Sequence, residues 1–290
     1  MRRLILALLA LVTPAAAPAD PASFAARFAV LKRQLDDPEA LFIGGEMVAA
    51  LLALEPLVTG PAEEARLFRE LAVVEGKRDE AACLDHAERA LAAEARAGVL
   101  APLELYFMHR LCAETGVMWV NDSRTTAHLE AALALAPQVG RPVTEIHWLR
   151  MNQGTHLRAL DKARHKAGQA PLHRFGLEAW EPLLGDATAH YGAESSELSD
   201  LLRLMSEAYE LEGDFEKAIA VKTRSVALTH TTADPGRRVS ALTGLAALQH
   251  RAGKVEAARA TFDAAIDWAE ACCSTATRGF ARDQKARLFP

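Results

Sequence analysis

Apolar residues recur along this chain with a helical period. Between residues 215 and 229 they fall at Phe215, Ala218, Ile219 and Val226, a spacing that shares one face of a helix. Val255, Ala258, Phe262, Ala265, Ile266 and Ala269 follow the same pattern. Alternating β-branched runs and Asn-Gly turns are missing, so the pattern gives β-hairpins no support. Two helix starts are legible. Asp37-Pro38-Glu39 and Asp234-Pro235 each set a capping Asp before a Pro at the first helical position. Gly or Pro separates the long helical stretches, and no low-complexity linker divides them.

Three segments align on a glycine: Gly76-Lys-Arg-Asp-Glu-Ala-Ala, Gly213-Asp-Phe-Glu-Lys-Ala-Ile and Gly253-Lys-Val-Glu-Ala-Ala-Arg. Each glycine follows an amphipathic helix, where a left-handed residue is predicted to end it. Ala81, Ala218 and Ala258 stand five residues later, small enough for the second helix to pack close to the first. Gly116 and Gly168 are read as two more turns, with successive turn spacings of 40, 52, 45 and 40 residues. The prediction is five helical hairpins stacked side by side.

This arrangement resembles the tetratricopeptide repeat (TPR) family. Leu202, Met205, Tyr209, Gly213, Ala218 and Ile219 fall on its helix A, turn and helix B positions. Leu242, Leu245, Gly253, Ala258, Phe262 and Ala265 repeat the match. A spacing near 40 is similar to the longer repeats of kinesin light chains, as is the linker from Tyr191 to Leu198. The likeness is closest over 190–272, looser over 62–96 and loosest over 97–190. The family's small residue after Phe68, Met108 and Leu160 is replaced by Arg69, His109 and Asp161. Val117 to Ser123 interrupts the expected start of a helix B. The resemblance implies an all-α solenoid, with a helical cap over 20–60, repeats over 61–272 and a cap or tail over 273–290.

Residues 1–19 read as a secretory signal peptide: Arg2 and Arg3, the apolar run Leu4 to Val12, and a small-x-small site at Ala17-Pro18-Ala19. Cleavage after Ala19 is expected, giving a periplasmic or secreted chain with no membrane span after the leader. Of the 290 residues, 50% are hydrophobic but only 6% aromatic, so the apolar content is mainly Ala and Leu, both strong helix formers. The formal net charge of −5, or −7 without the two leader arginines, argues against a nucleic-acid binder. Four cysteines cannot frame a disulfide scaffold. In an oxidising compartment, Cys83 on one helix and Cys112 on its neighbour are candidates for a single disulfide. Adjacent Cys272 and Cys273 would form only a strained bond.

Little of the sequence points to catalysis. His147, His156 and His165 are nine residues apart, so successive ones face opposite sides of a helix. No metal site or cofactor is expected. The Glu194-Ser195 pair is similar to that of lytic transglycosylases, but about 18 residues after the last hairpin leave no room for their catalytic domain. Nucleophile-elbow, phosphate-loop and dinucleotide motifs are missing. The sharpest charge feature is the basic stretch Arg158 to Arg174. In the TPR-like register the groove face would carry Tyr106, Arg110, Arg158, Lys162, His165, Lys166, Arg203 and Glu207. Glu210 and His250 extend it. Such cations can clamp acidic groups of a partner. Trp119 and Trp148 are candidate interface anchors. The expectation is an exported, non-catalytic scaffold that binds a protein or peptide. A self-associating structural solenoid and a cell-wall enzyme with a groove site remain as alternatives.

Overall fold

The computed structural model describes residues 23–36, 45–76, 79–119, 123–229 and 234–289. The expected leader and the Asp37-Pro38-Glu39 helix start lie outside them, as does the side chain of Trp119. Among the described residues there are thirteen α-helices, three short 3-10 turns and no strand. The fold is all-α, built from helical hairpins of the solenoid type. It divides into two compact units, residues up to 115 and residues from 116.

The first unit holds α1 (Phe24–Leu35), α2 (Gly45–Leu52), α3 (Pro61–Glu75), α4 (Glu80–Ala97) and most of α5 (Pro102–Trp119). Leu67, Phe68 and Leu71 of α3 meet Ala87 and Ala90 of α4, with Met108 and Cys112 of α5 in the same core. The small alanines let the α3 and α4 backbones approach closely. Helices α1 and α2 lie against α3, with Phe24 and Leu51 buried there.

Two turn expectations are corrected in this region. Gly76 is right-handed at φ −54°, because its N–H continues the helical ladder to the Ala72 carbonyl. Asp79, not the glycine, then starts α4 by accepting the Ala82 N–H at 3.0 Å. Gly116 lies inside α5. No Asp, Asn, Ser or Pro follows it before Asn121, so nothing there competes with the helix.

The second unit runs through α6 (Ser123–Leu135), α7 (Val143–Lys166), α8 (Leu177–Tyr191), α9 (Ser199–Leu211), α10 (Phe215–Leu228), α11 (Pro235–Arg251), α12 (Val255–Cys272) and α13 (Thr275–Leu288). Helices α7/α8, α9/α10 and α11/α12 form hairpins, and α8 against α9 and α10 against α11 join them in sequence. Gly213 and Gly253 adopt φ +82° and +77°, the left-handed turns anticipated for them. Asp234 caps α11 by accepting the Gly236 N–H at 2.8 Å.

The main core of this unit joins Trp180 and Leu183 of α8 to Leu201, Leu202, Met205 and Tyr209 of α9 and Ala218 of α10. At the far end α13 packs on α11 and α12. Ala281 is buried there with Val239 and Ala269, while Phe280 stays 43% exposed. The Phe289 ring instead closes on His250 and Phe262, at centroid distances of 5.1 and 6.1 Å.

Candidate binding face

Helices α7, α9 and α11 are the first helices of three successive hairpins in the second unit. On α9, Asp200, Arg203, Glu207 and Glu210 recur at helical spacing and share one face. Each neighbouring helix pairs with that face. From α7, Arg158 Nη1 donates to Glu207 Oε2. From α11, Arg237 Nη2 donates to Asp200 Oδ2 at 2.9 Å. Arg251, at the end of α11, forks onto both oxygens of Glu210. Within α9, Arg203 Nη1 reaches Glu207 Oε1 at 2.8 Å and its Nε lies 3.5 Å from Asp200. The result is a row of acids on α9 cross-linked to cations on both sides.

These pairs are mostly exposed, so each contributes about 0 to 1 kcal/mol. Arg158 differs. Its side chain is only 15% exposed, and its guanidinium lies 5.6 Å from the Trp180 ring centroid. It is the best-anchored cation of the row.

The eight expected groove residues are distributed unequally. Arg158, Arg203 and Glu207 come together around the Glu207 carboxylate. Lys162 and Lys166 are exposed on α7, and the exposed His165 meets the Phe175 ring edge-on at 6.1 Å. Tyr106 is a correction: it is fully buried, because α5 is covered on both sides, Tyr106 on one and Met108 with Cys112 on the other. Arg110 belongs to the same unit, half-buried, with Nε donating to Glu114 at 2.8 Å. Cys83 and Cys112 are both buried in that unit, on α4 and α5. His147 and His156 are buried, and among the described residues no group of three or more His, Cys, Asp or Glu is placed to hold a metal ion. Trp148 is 39% exposed beside a small, largely apolar cavity of about 180 Å³.

Two buried residues were given no role by the sequence reading, although Asp161 stood out there as a departure from the repeat pattern. Asp161 is fully buried on α7. It accepts the backbone N–H groups of Leu172, His173 and Phe175 at 2.7, 2.8 and 2.9 Å, and so fixes the α7–α8 turn. Arg174 and Phe175 are held at φ +46° and +52°, a conformation side chains rarely adopt. The turn thereby aims Arg174 at Glu181 and Glu212. Glu181 also accepts the Tyr209 hydroxyl at 2.8 Å. Burial opposes ionisation of Glu181, but Tyr209 and Arg174 outweigh it and hold its carboxyl below the usual range. Burial and the Glu181 hydrogen bond push the Tyr209 phenol up to about 12.

Lys222 on α10 is the second. It is buried beneath the α9–α11 part of the face, and burial lowers its pKa. The signal was present: Ala218, Lys222 and Val226 recur every four residues, so the lysine occupies a place in the apolar stripe.

No protein-family model matches the chain, and no curated protein matches it. Solved structures do. BtubC (BKLC) of P. vanneervenii superposes with a TM-score of 0.50 at 16% identity, over 86% of this chain and 91% of that one. The apo form of the quorum sensor NprR of B. thuringiensis superposes with a TM-score of 0.52 at 13% identity, over 90% and 68% of the two chains. These likenesses concern the fold, an all-α helical-repeat architecture. Among the described residues no helix is long and apolar enough to cross a membrane.

Proposed function

We propose that this chain is an exported, non-catalytic adaptor of the tetratricopeptide-repeat kind. It binds a protein or peptide on the face made by α7, α9 and α11. The observation that carries the reading is the row of ion pairs centred on Glu207, which sets alternating charge across the first helices of three successive hairpins. A charged, preformed face of this kind selects partners by electrostatic complementarity more than by area. The exposed Lys162 and Lys166 extend the row with cations available to acidic groups of the partner. The leader-like residues 1–19 support export, with a periplasmic or secreted mature chain beginning at Asp20.

The test is crosslinking in the producing cell, with the exported chain as bait beside an Arg203→Glu/Lys162→Glu/Lys166→Glu version. Loss of a discrete partner from the altered bait alone supports the face as the docking surface. Recovery of identical partners by both baits overturns it. Recovery of only the bait itself overturns the adaptor reading in favour of self-association.

A further inference from the structure

Lys222 leaves α10 between α9 and α11, and is only 8% exposed. Gly244 on α11 makes room for it: a Cβ there would stand 3.3 Å from both Cε and Nζ of the lysine. Among the described residues no hydrogen-bond or ion-pair partner reaches Nζ. The ammonium opens instead onto a cavity of about 250 Å³ lined by polar groups, among them Ser199, Asp200, Arg203, Ser225, Arg237 and Ser240.

The acids near this cavity are already engaged. Asp200 is shared between Arg203 and Arg237. Glu207 is held by Arg203 and Arg158. Asp234 caps α11. Lys222 feels Glu207 and Asp200 only at a distance, and its ammonium, without a direct partner, is the most buried of the three lining cations. A buried charge without a partner is unfavourable until an opposite charge and hydrogen bonds compensate it.

We propose that this cavity binds a single oxyanionic group of charge −1, a carboxylate, with Lys222 as its central donor and Arg203, Arg237 and Ser240 around it. A phosphate monoester carries about −1.5 to −2 at neutral pH and would meet more repulsion from the nearby Glu207 and Asp200 carboxylates. Three charged donors of this kind make short, charge-assisted hydrogen bonds to a carboxylate. The depressed pKa of Lys222, caused first by burial, agrees with an ammonium awaiting such a partner. The carboxylate comes either from a small free acid or from an acidic side chain of a bound peptide. The site is independent of the docking reading, because a free anion suffices to fill it.

The test is thermal unfolding of the full exported chain at constant ionic strength. Sodium acetate replaces sodium chloride, with acetamide as the neutral counterpart and inorganic phosphate as the anion of higher charge. A saturable rise in midpoint with acetate, absent with acetamide and smaller with phosphate, is expected. Lys222→Met should abolish the rise and unfold at a higher midpoint than the native chain without anion. Gly244→Ala, which crowds the lysine without changing charge, should weaken the rise, and it serves if the methionine variant does not fold. A terminally blocked Ala-Glu-Ala peptide separates the sources. Saturation at lower concentration than acetate assigns the site to a peptide side chain, and the reverse assigns it to a free acid. No saturable rise with either ligand, or one that both variants share, overturns the proposal.

Discussion

The indole of Trp180 lies directly over the backbone of Gly154. A Cβ on Gly154 would stand 2.1 Å from Trp180 Nε1. That nitrogen donates to the Met151 carbonyl at 3.2 Å, so the ring is held in place by a hydrogen bond as well as by packing. Gly176 approaches from the other side, its own missing Cβ 2.2 Å from the Gly154 carbonyl oxygen. The contact joins α7 to α8 and supports Arg158, one turn along α7, against the same indole. Gly154→Ala should therefore lower unfolding free energy by about 3 kcal/mol, the upper range of core overpacking. Urea denaturation checks it, and a change under about 0.5 kcal/mol, the range of an ordinary surface substitution, would contradict the close approach.

Asp161 is expected to be the strongest single determinant of the α7–α8 turn. Asp161→Ala leaves the N–H groups of Leu172, His173 and Phe175 without their acceptor. A loss of about 3 kcal/mol is expected for removing a charged acceptor from buried donors. Hydrogen exchange at those three amides should accelerate more than exchange at amides in α12. Equal acceleration in both places would mean that the carboxylate does not organise the turn.

The Arg158–Glu207 pair should show a measurable coupling. In a double-mutant cycle with Arg158→Met and Glu207→Gln, about 1 kcal/mol is expected at low salt, because Arg158 is largely shielded. The more exposed Arg251–Glu210 pair should give less. Half-molar salt should reduce the second coupling more than the first. The opposite ranking would remove Arg158 from its place as anchor of the row.

Stability should fall as the medium turns mildly acidic, and His147 should contribute. Burial lowers its pKa, and the nearby His190 and Arg150 add to this against the opposing charge of Asp186. The folded chain therefore resists protonation at a pH where the unfolded chain accepts it. The contribution of His147 is fully present above the ordinary histidine value of 6.5 and is lost as pH falls below it toward the lowered folded value. Urea midpoints between pH 7 and 5 should drop less in His147→Gln than in the native chain. An identical drop in both would assign the acid sensitivity to other groups.

Periodicity alone was enough for the helices. The stripe from Ala258 to Ala269 is buried on α12 as its spacing requires, and Gly213 and Gly253 turn the chain in the left-handed conformation. A turn glycine misled where no capping or turn residue follows it. Gly116 stays inside α5 because nothing after it offers the backbone an alternative to the helix. The candidate face was half legible. Arg158, Arg203 and Glu207 lie on register positions, so helical spacing found them, and the structure joins them. Tyr106 lies in the same register, but its side of α5 is covered as well as the Met108 side, which spacing within one helix cannot express.

The sequence by itself determined the helical class, the helix ends at Gly213, Asp234 and Gly253, and the repeat that pairs the helices, because these depend on groups a few residues apart. Tertiary structure alone decided which charges meet. Asp161 reaches a turn eleven to fourteen residues away, Glu207 meets an arginine 49 residues distant, and Lys222 depends on Gly244 of another helix for its space. The strength of an ion pair and the cost of a buried ammonium depend on the local dielectric and on neighbours brought together by packing. Those neighbours exist only once α7, α9, α10 and α11 are in place.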